Sequence, residues 1–365
     1  MSIIYKQFVI ILREVKTMPL CCPNCFNDIG LKEFITTHGN NGVCSYCGSA
    51  RIHCIAPSEI KQLFEFFSYG IQNAPEGEPG SKYSDLIQHN FSVYSDDVRD
   101  IQNLTKDILG VEYIEDNFIL KFNPSQHSCL WDEFKDELKF KNRFFPTNSL
   151  YSSLFTSYHK NEIDGNFSEL LGQLTKPIYK DQNFFRARIS DKVLNSNDMK
   201  MPPKGLSSGG RANPVGISYL YLASNLETCI AEVRPSNSSQ LQISQFTLTK
   251  DMNVLDLTSP RCDISATVFE GDEIEDILNH VNLLETLSHE LSKPILPDKS
   301  NIDYIPTQFL CEFIKSVGSY DGIIFNSSFG HGVNYVFFSQ EEFIINDPES
   351  YRVTKTNHEF IKHDT

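Results

Sequence analysis

"GRANPVGISYLYLASNLETCIAEVRP", Gly210 to Pro235, is the stretch on which the reading of the fold turns. Its centre, "SYLYLA" (218–223), suits a strand, because aromatic and aliphatic residues fit a pleated, half-buried surface. Ser224 and Glu227 then make an S-x-x-E capping box, which predicts a helix directly after that strand, over Asn225–Val233. Glu232 falls about two turns into this helix, between Ala231 and Val233. A carboxylate in such apolar company needs a partner or a task. The structural alternative is an ion pair with Arg234 or another arginine.

Working outward, "FFRARIS" (184–190), "QLQISQFTLT" (240–249), "NVLDL" (253–257), "DGIIF" (321–325) and "NYVFF" (334–338) also read as strands. In the second of these the alternation slips by one residue between Ile243 and Phe246. Helical periods fall between them, at Asp272–Leu291 and Thr307–Val317. The C-terminal part is therefore mixed α+β. There is no internal repeat and no low-complexity tract.

At 365 residues the chain is long enough for two or three units. With 47 Asp plus Glu against 32 Lys plus Arg, a net charge of −15 works against non-specific attraction to nucleic acid or anionic membrane. Any anionic ligand must be held by local arginines. "FVIIL" (8–12) is too short to span a bilayer and is followed by "REVK", not by a small-residue cleavage site. Met18 is a candidate start, since it would remove this leading segment. Ten cysteines without a secretory signal point to a reducing cytoplasm.

Two knuckles, "CPNC" (Cys22, Cys25) and "CSYC" (Cys44, Cys47), stand eighteen residues apart, the spacing of a zinc ribbon with a structural Zn. Cys21, His53 and Cys54 could substitute in another register. Beyond the ribbon (1–55), residues 56–175 read as a helical domain. Ser58 can cap a helix through Ile60, Leu63, Phe64 and Phe67; "NAPEGEPGSKYSD" (73–85) is a loop; a second helix spans Asp96–Leu109; and Trp131, Phe134 and Leu138 share the face of a third. Residues 176–345 form the α+β domain and 346–365 a tail.

The series "FFRARIS … GGRANPVGISYLYLASNLETCIAEVRP … YIPTQFLCEFIKSVGSYDGIIFNSSFGHGVNYVFF" resembles the RES-domain family, named for its Arg, Glu and Ser, whose members include toxins of bacterial toxin–antitoxin pairs. The helices ahead of it are similar to the HEPN-like domain often fused to RES domains, though no R-x4-H nuclease motif is present to bring ribonuclease activity with it. The resemblance implies an ADP-ribosyltransferase-like fold and an enzyme that consumes NAD. It places the opening-strand arginine at Arg186, with Arg188 a rival facing the same side, and the glycine-arginine turn at Gly210-Arg211, where Ala212 replaces a common aromatic. It puts the strand tyrosine at Tyr221, the helix glutamate at Glu232, the late serine at Ser327 beside Ser328, and the following glycine and asparagine at Gly332 and Asn334.

Chemistry supplies a reason for each type. Arginine forks suit a pyrophosphate. A carboxylate stabilises the oxocarbenium character that a ribose develops as nicotinamide leaves. An aromatic ring can stack on the cationic pyridinium. Ser327 can orient a ligand by hydrogen bonding, and His331 in "FGHGVN" reads as a loop histidine near the site. Catalytic roles thus fall to Glu232, Arg186 and Ser327, and NAD contacts to Arg186, Arg188, Arg211, Tyr221 and Asn334. The leading expectation is cleavage of the nicotinamide–ribose bond by a hydrolase or phosphorylase acting as a toxin or defence effector, with an antitoxin or regulatory protein as partner. The alternatives are transfer of ADP-ribose to a protein substrate, or a non-catalytic zinc-ribbon binding protein. Against nucleic-acid docking, Lys32 is the sole basic side chain between Cys22 and Cys47.

Overall fold

The computed structural model describes residues 18–110, 117–155, 165–269, 271–293, 300–317 and 320–356, so "FVIIL" lies outside the described residues. The chain begins with α1 (Ile29–His38), the hairpin β1 (Asn40–Val43) and β2 (Ala50–Cys54), α2 (Lys61–Gly70), β3 (Ile71–Asn73), α3 (Tyr83–Phe91), α4 (Ile101–Leu109) and β4 (Phe118–Leu120), which pairs with β3. Helices α5 (Gln126–Phe140) and α6 (Gly165–Gln173) follow. The remainder runs β5 (Thr175–Ile178), β6 (Asn183–Ile189), β7 (Leu220–Ala223), α7 (Leu226–Glu232), β8 (Gln240–Leu248), β9 (Met252–Asp256) and α8 (Pro260–Asp263). It then continues through α9 (Ile274–Ser292), α10 (Ser300–Asp303), α11 (Ile305–Val317), β10 (Gly322–Asn326), β11 (Val333–Phe337), β12 (Phe343–Ile345) and β13 (Glu349–Arg352). The mixed α+β reading holds. No helix among the described residues is long and apolar enough to cross a membrane.

Strands β5–β13 form one sheet in the order β12, β8, β6, β7, β11, β10, β9, β5, with β13 also on β8; only β9 and β10 pair in parallel. Alternation assigns its two faces. Leu255, Ile323, Phe325 and Val336 point into a core shared with α9 and α11, whereas Val254, Ile324, Tyr335 and Phe337 point into a second core on the opposite face. The sheet is not uniformly closed. β6 pairs with β8 from Asn183 to Ile189 but meets β7 at one residue pair, Phe185↔Ala223. The sheet therefore splits between β6 and β7.

The helical region is divided between two cores. Ribbon residues and α2–α4 share a core that also takes Ile274 and Leu278 from α9. Trp131, Phe134 and Leu138 of α5 and Phe167 of α6 instead pack with α9 and α11, where Phe134 meets Phe309 edge-on at 5.1 Å. An amphipathic period shows that a face is buried but not against what, and the helices expected over 56–175 pack in two groups with different partners.

Several boundaries differ in instructive ways. A short 3-10 turn, Pro57–Ile60, precedes α2, and Glu59 rather than Ser58 caps it, its carboxylate accepting the Ala56 N–H at 3.0 Å. The loop expected over 73–85 gives way to α3 at Tyr83. The second helix starts at Ile101 because Asp100 accepts the Asn103 N–H and caps it there. Strand β13 lies beyond residue 345 and joins the sheet through β8.

Candidate functional site

Helix α7 is seven residues long, too short to be stable alone. Its N-cap is Asn225, whose side chain accepts the Thr228 N–H at 2.8 Å. This corrects the Ser224–Glu227 box: Ser224 Oγ instead accepts the N–H of Val333 at 3.0 Å. Both residue types are good N-caps, and here the serine is drawn to the late loop. Thr228 Oγ1 accepts the Gly332 N–H at 3.0 Å, and a Cβ on Gly332 would stand 2.4 Å from that oxygen. Only glycine lets the loop come this close. The loop is thereby pinned across α7, which carries Ser327 and Asn334 to Glu232 from about a hundred residues away.

Glu232 ends α7 and is half-buried. Its Oε1 accepts Ser327 Oγ–H at 2.6 Å and Asn334 Nδ2–H at 2.7 Å. Ser327 Oγ in turn accepts the N–H groups of Phe329 and Gly330, at 3.2 and 3.0 Å. With both donors on Oε1, Oε2 has no protein partner among the described residues. Nor does Glu232 form an ion pair there: Arg234 instead lies over the Phe329 ring at 4.8 Å. The arginine-paired alternative is thus excluded for Arg234.

Where the sheet splits, a cavity of about 370 Å³ opens between β6, β7 and α7. Arg186, Arg211, Tyr221, Glu232 and Asn334 all line it; Arg188 and Ser327 do not. Arg188 turns away to the Lys200 carbonyl, to which its Nη2 donates at 3.2 Å. Arg186 stays in the cavity, its Nη1 sealed from solvent without a hydrogen-bond partner among the described residues. Burial, reinforced by Arg188 nearby, pushes the Arg186 pKa down to about 10, so the guanidinium is still charged at neutral pH. An unmatched buried cation is costly, and an anion entering the cavity would match it.

The glycine-arginine turn is built by hydrogen bonding. Tyr221 Oη donates to Asn213 Oδ1 at 2.6 Å and accepts the Ala212 N–H at 3.0 Å. A Cβ on Gly210 would sit 2.7 Å from Tyr221 Oη, so glycine is needed for that approach. Tyr221 thus lines the cavity while its hydroxyl fixes the turn. Arg211 Nη1 donates to the carbonyls of Leu291 and Ser292, at 2.8 and 3.1 Å, capping the C-terminal end of α9. Its guanidinium is thus already partly engaged.

Phe185, Phe325, Phe329 and Tyr304 add aromatic walls that were not singled out in sequence, because aromatics in strands and loops carry no signal that separates cavity from core, and Arg234 is a further cation on the lining. His331 is exposed and outside the lining. Ser328 Oγ is buried without a partner, on no wall of this cavity.

At the other end of the chain, the Sγ atoms of Cys22, Cys25, Cys44 and Cys47 lie within 4.8 Å of one another. Cys44 Sγ accepts the N–H groups of Tyr46 and Cys47, at 3.4 and 3.5 Å. Cys21, His53 and Cys54 point instead at the carbonyls of Ile55, Thr36 and Ile52, so the other registers are not assembled. Hydrogen bonds from Cys22 and Cys25 hold the Cys44 thiol well below its ordinary range, while Cys25 is driven up by the bonds it shares with Cys22 and Cys44. Packed this closely, the thiols cannot all ionise unless a cation joins them. The donor set fits a tetrahedral metal such as zinc and leaves no ligand position open for chemistry.

Residues 184–355 match the family model of the RES domain. Among solved structures, the chain is similar to one chain of the M. tuberculosis MbcT–MbcA toxin–antitoxin complex, at 16% identity over 52% of this chain and 93% of that one. The TM-score is 0.27, too loose to carry a structural conclusion. No curated protein matches.

Proposed function

We propose, from the match of residues 184–355 to the RES-domain model, that the chain binds NAD in the split-sheet cavity and cleaves the nicotinamide–ribose bond. One observation carries this reading: a half-buried Arg186 whose Nη1 is sealed from solvent, and a Glu232 carboxylate with one oxygen free, both without further partners among the described residues, line the same cavity. Arg186 supplies the positive charge that a pyrophosphate needs in an otherwise acidic protein. Tyr221 presents an aromatic face to the pyridinium. Glu232, its Oε1 held by Ser327 and Asn334, directs Oε2 at the ribose, where positive charge grows in the transition state.

In the reaction, the bond between ribose C1′ and the pyridinium nitrogen breaks and its electron pair neutralises the ring. An oxygen of water or phosphate then bonds to C1′; water passes its released proton to solvent, whereas an ionised phosphate oxygen has none to lose. Asn334 and Ser327 act as positioning residues for the carboxylate. Loss of NAD would arrest growth, so the reading extends to a toxin held in check by an antitoxin or other regulatory protein.

Nicotinamide release by the purified full chain and by Glu232→Ala tests the assignment. The wild type should release nicotinamide and the variant should lose nearly all turnover; equal rates would remove Glu232 from the mechanism. With labelled NAD, free ADP-ribose or its phosphorylated form identifies water or phosphate as acceptor, and label retained on protein would replace cleavage by transfer.

A further inference from the structure

The cavity at the sheet split is small for the ligand assigned to it. At roughly 12 Å³ per water-sized group, a space of about 370 Å³ takes about thirty such groups, enough for one half of a dinucleotide and short of both. A second depression of about 670 Å³ adjoins it, and Tyr304, at the turn between α10 and α11, is a wall of both. The turn holding Arg211 borders both as well, with Arg211 in the first cavity and Ser208 and Gly209 in the second. We infer that this second groove is the subsite for the adenosine half of NAD, completed by residues that precede the RES domain.

The walls have the chemistry for an uncharged base. Phe144, Pro214, Val215 and Ile217 make it apolar, and one arginine, Arg143, is offset by one carboxylate, Glu312. Phe144 and Val215 are 81% and 73% exposed, large apolar surfaces that no described residue covers. An anionic segment would find no net charge to meet there. A nucleobase reaching over from the first cavity would find aromatic and aliphatic faces. Adjacency favours this occupant, because Tyr304 lines both spaces and the 208–211 turn borders both.

Leu138, Arg143 and Phe144 lie ahead of Phe184, where the RES match begins. The wall they form is fixed to the domain. Lys139 pairs with Asp303 at 2.9 Å, next to Tyr304, and Lys135 pairs with Glu290 at 2.9 Å. Edge-on packing of Phe134 against Phe309 adds an apolar tie. Helix α5 is thus a built part of the groove, and the segment after it sets how the second half of the substrate is held.

This inference rests on the NAD reading, and the test separates the two. In the full chain, Phe144→Ala should raise KM for NAD about tenfold, the scale of one base stacked on an aromatic ring, with kcat kept. KM for nicotinamide mononucleotide, which has no adenosine, should not move. Val215→Asp, which sets a charge against the base, should repeat the pattern. Adenosine monophosphate, followed by calorimetry, needs no turnover: it should bind the wild type and Glu232→Ala alike and bind Phe144→Ala about tenfold more weakly. If the wild type does not bind it, if both substrates weaken together, or if neither variant affects NAD, the groove has another occupant and the inference falls. Binding that depends on Phe144 in a protein that releases no nicotinamide would instead overturn the cleavage reading and leave the subsite in place.

Discussion

The ribbon and the split-sheet cavity both gather polar groups from distant parts of the chain into a small space, but they satisfy them differently. In the ribbon, four thiols face each other within 4.8 Å and backbone N–H groups close on Cys44. In the cavity, Arg186 Nη1 has no partner and Glu232 has both protein donors on one oxygen. A cluster that turns inward is a staple. A pair of charges left incomplete is a place for a ligand, because burial makes an unmatched polar group costly until something arrives to match it. On the proposed reading, one region holds shape and the other holds substrate.

The largest expected effect tests the staple. Structural zinc contributes on the order of 10 kcal/mol to small domains that depend on it, and here the same core includes Phe26, Phe64, Phe67 and Tyr94 of the ribbon and its helices. Chelation should expose the amides of residues 20–110 in hydrogen exchange well before those of the sheet. Four cysteines that all react freely with a thiol reagent in the absence of chelator would show that no metal joins them. Next in size is Glu232→Gln, which keeps the shape and removes the charge. It should lower kcat by roughly a hundredfold to a thousandfold, the cost of deleting one preorganised electrostatic stabiliser, with little change in melting temperature. A large loss of stability would put Glu232 with the staple.

Arg186→Met sharpens the contrast, because its two effects should have opposite signs. Removing a charged group that binds phosphate costs about 1.5–3 kcal/mol, so KM for NAD should rise roughly tenfold to a hundredfold. Replacing an unmatched buried cation by a thioether of similar reach should at the same time stabilise the fold by about 1 kcal/mol in denaturant melts. Substituting Cys25, by contrast, should cost stability. If Arg186→Met also destabilises, the guanidinium has a structural partner and the unfinished-pair argument fails.

Much of this contrast could be read from the sequence, and the misses share a cause. Period-two alternation gave six of the nine strands of the sheet and missed the short β5, β12 and β13, and knuckle spacing gave the four cysteines, because both signals are local. Arg186 and Arg188 could not be told apart: residues two apart on a strand face the same side, and it is the Lys200 carbonyl, brought in by folding, that turns Arg188 away. Ser224 and Asn225 are adjacent N-cap formers, and the choice fell to Val333, from the far end of the domain. The division of the helices between two cores, and the aromatic wall made by Phe329 and Tyr304, are likewise settled by contacts between distant segments.

The smallest expected effect decides the role of Ser327. If its hydroxyl attacked the substrate, Ser327→Ala should cost as much as Glu232→Gln. The geometry argues otherwise. The hydroxyl donates to Glu232 Oε1 at 2.6 Å, accepts two backbone N–H groups, and is not on the cavity wall. Removing it leaves Asn334 Nδ2 on the same carboxylate oxygen at 2.7 Å, so Glu232 loses one of two restraints. One hydrogen bond to a charged group is worth about 1.5 kcal/mol at the lower end of its range, which is about tenfold in kcat, with KM for NAD unchanged because Ser327 touches no ligand. Ser327→Ala combined with Asn334→Ala should then approach the loss seen in Glu232→Gln, since the carboxylate would be left with neither donor. A double variant no worse than either single one would show that Glu232 is held by something other than these two side chains.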